Sequence, residues 1–87
     1  MVRIHLEKVS IMAMRRVYCT IRGNLLKEPI IYSLSKSFNV VPNIRAGSIT
    51  EEVGLVYLEL EGAEEEVQKA VAYLRALGVK VDEVVEH

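Results

Sequence analysis

The sequence predicts an α+β domain in which one four-stranded antiparallel sheet carries two helices on one of its faces. Three observations lead there. Segments of alternating hydrophobicity and segments of helical periodicity follow one another in the order strand, helix, strand, strand, helix, strand. The 87 residues suffice for one small domain with a single core. With 51% hydrophobic and 26% charged residues, the chain is too apolar for disorder and carries an ordinary globular share of charge.

The first strand of the core is predicted over residues 15–22. Val17, Cys19 and Ile21 alternate with Tyr18, Thr20 and Arg22, and β-branched and aromatic residues are plentiful. Gly23-Asn24 ends it. Pro29 suits the first turn of a helix, where its missing N–H costs nothing. Ile30, Ile31, Leu34 and Phe38 then recur at helical spacing, opposite Ser33, Ser35, Lys36 and Ser37. Serines are poor helix formers, so packing must hold this helix. Asn39 reads as a stop in the left-handed conformation.

The second strand is expected over residues 41–50. Pro42 forbids helix there and presets an extended backbone, and Gly47 marks a bulge or a close backbone approach. Residues 51–54 form a turn. Val56, Leu58 and Leu60 then alternate with Leu55, Tyr57, Glu59 and Glu61 in a third strand, which Gly62 breaks. Glu64, Glu65 and Glu66 load the first turn of the next helix with charge that suits its dipole, and a solvated helix start explains that run fully. Val67, Ala70, Val71, Leu74 and Leu77 are its apolar stripe, and Gly78 its C-terminal signal. Val79, Val81 and Val85 suit a short last strand.

This element order is the split βαβ, ferredoxin-like arrangement, whose sheet order is 4-1-3-2 with both helices on one face. The other face is left open and is expected to carry Tyr18, Thr20, Tyr57 and Glu59. Small domains with an open face and free edges usually cover them by association, so a homodimer or higher oligomer is expected, with Tyr18 and Tyr57 in the interface. Ahead of this domain, assigned to residues 15–87, lies an extension, residues 1–14. Its residues 2–9 alternate and read either as an extra edge strand or as an ordered tail.

Composition excludes several functions. No apolar run is long enough to span a bilayer, and the N-terminus lacks an apolar signal core, so a cytoplasmic protein without membrane insertion is expected. Cys19 is alone, which rules out an internal disulfide or a cysteine-rich metal site and favours a buried, inert thiol. His5 and His87 lie near opposite ends without partners at metal spacing, so no metal or cofactor is expected. Residues 1–50 hold 8 Lys/Arg against 2 Asp/Glu, and residues 51–87 hold 3 against 10. A fold that interleaves its halves mixes these charges across the sheet.

Residues 38–47 stand out chemically. Asn39, the rigid Pro42, and Asn43-Ile44 join the first helix to the second strand. Together with Glu28-Pro29, residues 54–62, Ala70-Val71-Ala72-Tyr73-Leu74 and Gly78-Val79-Lys80-Val81, this stretch resembles the NIL domain family in order and spacing from Val17 to about Val85. That family is best known as the C-terminal regulatory domain of the ATPase subunit of bacterial methionine importers, here read as a stand-alone module. Asn43-Ile44 keeps the family's name motif, whereas its third position is Arg45 in place of leucine. No Gly-x-x-x-x-Gly-Lys-Ser/Thr stretch occurs, so the importer's nucleotide hydrolysis is not expected. A lone cysteine likewise excludes the iron–sulfur cluster of the ferredoxin fusions known for this module.

The resemblance implies a regulatory module that binds a small molecule, a sulfur amino acid such as methionine, at or near a homodimer interface. Asn43 would then bond the ligand's head group, with Val41, Pro42, Ile44 and Arg45 beside it and apolar neighbours Val40, Val41 and Ile44 as the wall. Two readings of Asn43 stand, ligand contact or turn-forming asparagine, and for Arg45 a plain surface charge is the favoured reading. An accessory subunit acting through a protein partner in transport or sulfur metabolism fits the same residues. RNA binding on Tyr18 and Tyr57 is disfavoured by Glu59, Glu61 and the slightly negative net charge, so no nucleic-acid partner is expected. No nucleophile, base and orienting group can be grouped, so an enzyme is not expected.

Overall fold

A computed structural model describes residues 11–84 of the chain. Its elements are β1 (Met12–Arg22), a 3-10 turn (Gly23–Lys27), α1 (Ile30–Ser37), β2 (Val40–Ile49), β3 (Val53–Ala63), α2 (Glu64–Leu77) and β4 (Lys80–Glu83). They build one sheet in the order β2-β3-β1-β4, every neighbouring pair antiparallel. The α+β, ferredoxin-like arrangement expected from periodicity is therefore present. Residues 2–9, His5, Val85 and His87 lie outside the described residues.

The strand period decides what is buried. Val17, Cys19 and Ile21 of β1 and Val56, Leu58 and Leu60 of β3 point to one side. There they meet Ile30 and Leu34 of α1 and Val67, Ala70, Val71 and Leu74 of α2 in one cluster, which Val40, Val79 and Val81 complete. Leu34, Leu58, Leu60, Leu74, Val17 and Val67 are fully buried. Of the expected α2 stripe only Leu77, at the helix end, stays partly exposed. Cys19 is free and buried, and burial, with the Asp82 charge second, pushes its thiol up to about 11.

Several boundaries differ from those the sequence suggests, each for a local reason. β1 begins at Met12, because Met12, Ala13 and Met14 find partners in Ala63, Gly62 and Glu61. Residues 12–14 thus belong to the sheet and not to a preceding extension. Pro29 sits one position ahead of the helix, and its carbonyl accepts from the Ser33 N–H at 2.9 Å. Helix α1 ends at Ser37 without a left-handed residue, since no described non-glycine residue has a positive φ. Phe38 turns extended and packs edge-on against Tyr73 of α2, ring centroids 5.3 Å apart, and that anchorage replaces the expected Asn39 cap. Asn39 instead donates its backbone N–H to Glu66 Oε1 at 2.9 Å.

Gly62 does not break β3, which runs on to Ala63. Its bare α-carbon lets the α1–β2 joint lie close, for a Cβ there would sit 2.7 Å from the Asn39 carbonyl oxygen. Gly47, expected to mark a bulge or a close backbone approach, does neither: a Cβ there would make only ordinary contact, and the bulge lies between Ile44 and Ala46 and puts Arg45 out of register. The β2–β3 loop is closed by Thr50, whose hydroxyl accepts from the N–H groups of Glu52 and Val53 at 3.2 and 3.1 Å, so Val53 is already strand. Gly78 ends α2 in the left-handed region, φ 103°, as its position in the sequence suggests.

Two outcomes follow from the joint. Gly62→Ala forces a methyl group onto backbone and is expected to cost about 1–3 kcal/mol, whereas Gly47→Ala meets only ordinary contact and stays within about 1 kcal/mol of wild type. Urea unfolding of both variants measures the difference. The Asn39 N–H, and to a lesser degree Lys69, holds the Glu66 carboxyl below its usual 4.5. A carboxylate with a depressed folded pKa stabilises the fold above its unfolded pKa, and that contribution fades as pH falls through the folded value. The stability advantage of wild type over Glu66→Gln is therefore expected to shrink as pH drops below 4.5, and an NMR titration should find Glu66 below that value.

Candidate functional site on the open sheet face

The strand residues that do not face the helices share the second side of the sheet, and no described element covers it. In register across β1, β3 and β2 run the rows Met14–Glu61–Val41, Arg16–Glu59–Asn43, Tyr18–Tyr57–Ala46 and Thr20–Leu55–Ser48. Tyr18 and Tyr57, cross-strand partners, stack with centroids 4.5 Å apart and planes 16° from parallel. Such a pair adds about 0.5–1.5 kcal/mol beyond its buried area and fixes the centre of the face. Tyr18 and Leu55 remain half exposed. Around them Tyr18, Thr20, Ala46, Ser48, Leu55 and Tyr57 line a shallow depression of about 330 Å³.

Beside this depression lies a charged group. Glu59, on central β3, is 14% exposed and is reached from both sides. Arg16 Nε of β1 donates to its Oε2 at 2.9 Å, and Arg45 Nε of β2 stands 3.8 Å from its Oε1. Arg45 reaches this face because the bulge places it between Ile44 and Ala46. Asn43 is the register partner of Glu59 and shares the face.

The five residues expected to form a ligand site are thus divided. Asn43, Val41 and Arg45 belong to the open face. Pro42 and Ile44, partners of Leu60 and Leu58, belong to the helix face, where Ile44 borders a separate groove with Ile30, Ile31 and Ile49. Val40 is core. Val40, Val41 and Ile44 therefore form no common wall within one chain, because neighbours on a strand point to opposite sides. Nor is Asn43 in the helix–strand joint: it lies mid-strand on the edge of the sheet, where Pro42 is tolerated. Tyr18 and Tyr57 do come together, as expected for the open face.

Glu59 lies on the open face as its alternation in β3 predicts, but its grouping with Arg16, Leu55, Ala46 and Ser48 in one site is not evident from the sequence. The alternation of β3 held the signal for Glu59 and Leu55. Nothing in the sequence placed the bulge that brings Arg45 alongside. Among the described residues no group of histidine, cysteine and carboxylate side chains could hold a metal, and no helix is long and apolar enough to cross a membrane.

Comparison with known proteins matches the NIL domain model to residues 15–83. Relatives include the methionine import ATP-binding protein MetN 1 of Listeria innocua, 39% identical over 66 residues that make up 71% of this chain and 20% of the relative. The methionine import ATP-binding protein MetN of Helicobacter pylori is 34% identical over 84 residues, 92% of this chain and 25% of the relative. That of Bacillus cereus, MetN 1, is 34% identical over 64 residues, 69% of this chain and 18% of the relative. The chain thus corresponds to a quarter or less of these relatives. A sheet with the expected order, two helices on one face and a family match running from β1 into β4 agree: the chain belongs to the NIL domain family.

Proposed function

We propose that this chain is a regulatory binding module that works as a homo-oligomer and takes a sulfur-containing amino acid, such as methionine, on its open sheet face, without catalysing a reaction. One observation carries this reading: the sheet face that no described element covers holds an apolar depression of about 330 Å³, one cross-strand row from Asn43 and at the small end of ligand-sized sites. The relatives are methionine import ATP-binding proteins, and the ligand class is taken from them. Asn43 brings an amide to the head group, and the tyrosine pair with Leu55 and Ala46 brings apolar surface to the side chain. Association of two such faces would cover exposed Tyr18, Leu55, Val41 and Met14 and enclose the depression.

A second reading, an accessory subunit that binds a protein in transport or sulfur metabolism, draws on the helix-side groove, where Ile44 and Ile49 are exposed. The two readings separate in a calorimetric titration with methionine, homocysteine and cysteine. Heat and thermal stabilisation with one of them support the regulatory module, and neither with any of them puts the accessory subunit ahead.

Asn43→Ala is expected to leave the melting temperature unchanged, since the residue is exposed, and to cost about 1–3 kcal/mol of binding. Unchanged binding would move the head group away from Asn43. Leu55→Glu places a charge on the face and is expected to weaken self-association by about tenfold or more. Sedimentation equilibrium measures it, and a wild-type chain that is monomeric at every usable concentration would refute the oligomer.

A further inference from the structure

We propose that Arg45 is the residue that selects a free carboxylate on the ligand, so that the open face recognises an unmodified zwitterionic amino acid by its two charges. The inference rests on the reading given under the preceding heading and assigns the polar end of that site. Its starting point is the unequal approach of two guanidinium groups to one carboxylate. Arg16 holds Glu59 Oε2 with a hydrogen bond of 2.9 Å. Arg45 stands 3.8 Å from Oε1, beyond hydrogen-bonding distance, and its side chain is 59% exposed. Among the described residues the Arg45 guanidinium donates no hydrogen bond, and Glu61, one row along the face, makes no ion pair with it. Its planar fork of donors is therefore available, and a carboxylate is the group that fits such a fork bidentately.

Position makes this charge useful. The bulge sets Arg45 directly before Ala46, which lines the apolar depression with Tyr57 and Tyr18. Glu59 and the Asn43 amide lie on the same face, two strand positions from the tyrosine pair. An α-amino acid laid here presents its carboxylate to Arg45, its ammonium to Glu59 Oε1 and the Asn43 amide oxygen, and its apolar side chain to the depression. Among the described residues Glu59 Oε1 has only the long Arg45 contact to give up, so binding exchanges a weak ion pair for two short ones. A ligand without the carboxylate leaves Arg45 as it is and gains nothing from it.

The test compares L-methionine with L-methioninamide, which keeps the ammonium and side chain but lacks the charged carboxylate, by calorimetric titration of the wild-type chain and of Arg45→Ala and Arg45→Lys. Wild type is expected to prefer methionine over its amide by about tenfold or more, a charge-assisted bidentate pair being the difference. Arg45→Ala should lose that preference by weakening methionine alone, and Arg45→Lys should keep part of it. Equal melting temperatures show that the variants are folded. Wild-type binding of methionine that is unchanged in Arg45→Ala, or a preference that survives the substitution, overturns the role of Arg45 and leaves the binding module standing. No binding of either compound by wild type overturns both.

Discussion

The pairing of β1 with β3 is the constraint on which the rest depends. Eleven residues of each strand face one another in unbroken antiparallel register, from Met12 with Ala63 to Arg22 with Val53. Because side chains alternate, this one register sends Val17, Cys19, Ile21, Val56, Leu58 and Leu60 to the helices and Arg16, Tyr18, Glu59 and Tyr57 to the other side. A slip of one residue would exchange the two sets, placing two tyrosines and an ion pair in the core. The helices then have a single apolar surface on which to lie. The open face inherits its chemistry from the residues that were not buried.

The edge strand β2 is held more loosely and carries the distinctive features. Among the described residues it pairs only with β3, an edge position at which Pro42 is tolerated, and it breaks register at Arg45. Its start is fixed by three contacts from outside the sheet: Phe38 against Tyr73, the Asn39 N–H on Glu66, and the Asn39 carbonyl against Gly62. The joint between α1 and β2 thus serves as a clamp that sets where β2 begins. Asn43 and Arg45 then reach the open face by strand alternation and by the bulge.

On the open face a charged row and an apolar row lie side by side. Tyr18 and Tyr57 stack on each other, so they offer a fixed apolar floor and do not need to close around a ligand. Glu59, largely buried between two arginines, is held in place by the short Arg16 contact, which leaves Arg45 as the more adaptable partner. Among the described residues the helix-side groove beside Ile44 and Ile49 has Glu28 as its charged lining residue.

The sequence by itself determined the fold, because periodicity is a local property. Alternation at Val17, Cys19 and Ile21 and at Val56, Leu58 and Leu60, and the helical stripe from Val67 to Leu74, each show which side is buried without reference to anything distant. Gly78 at the end of α2 was legible for the same reason, since a positive φ there is a local demand. That Asn43 and Ile44, adjacent in sequence, lie on opposite faces follows once they are placed in a paired strand. The role of Gly62 was hidden, because the carbonyl it admits belongs to a residue 23 positions earlier. The bulge at Arg45, and with it the meeting of Arg45, Glu59 and Arg16, was decided only by the tertiary structure: it depends on how three strands align, and no single segment contains that information.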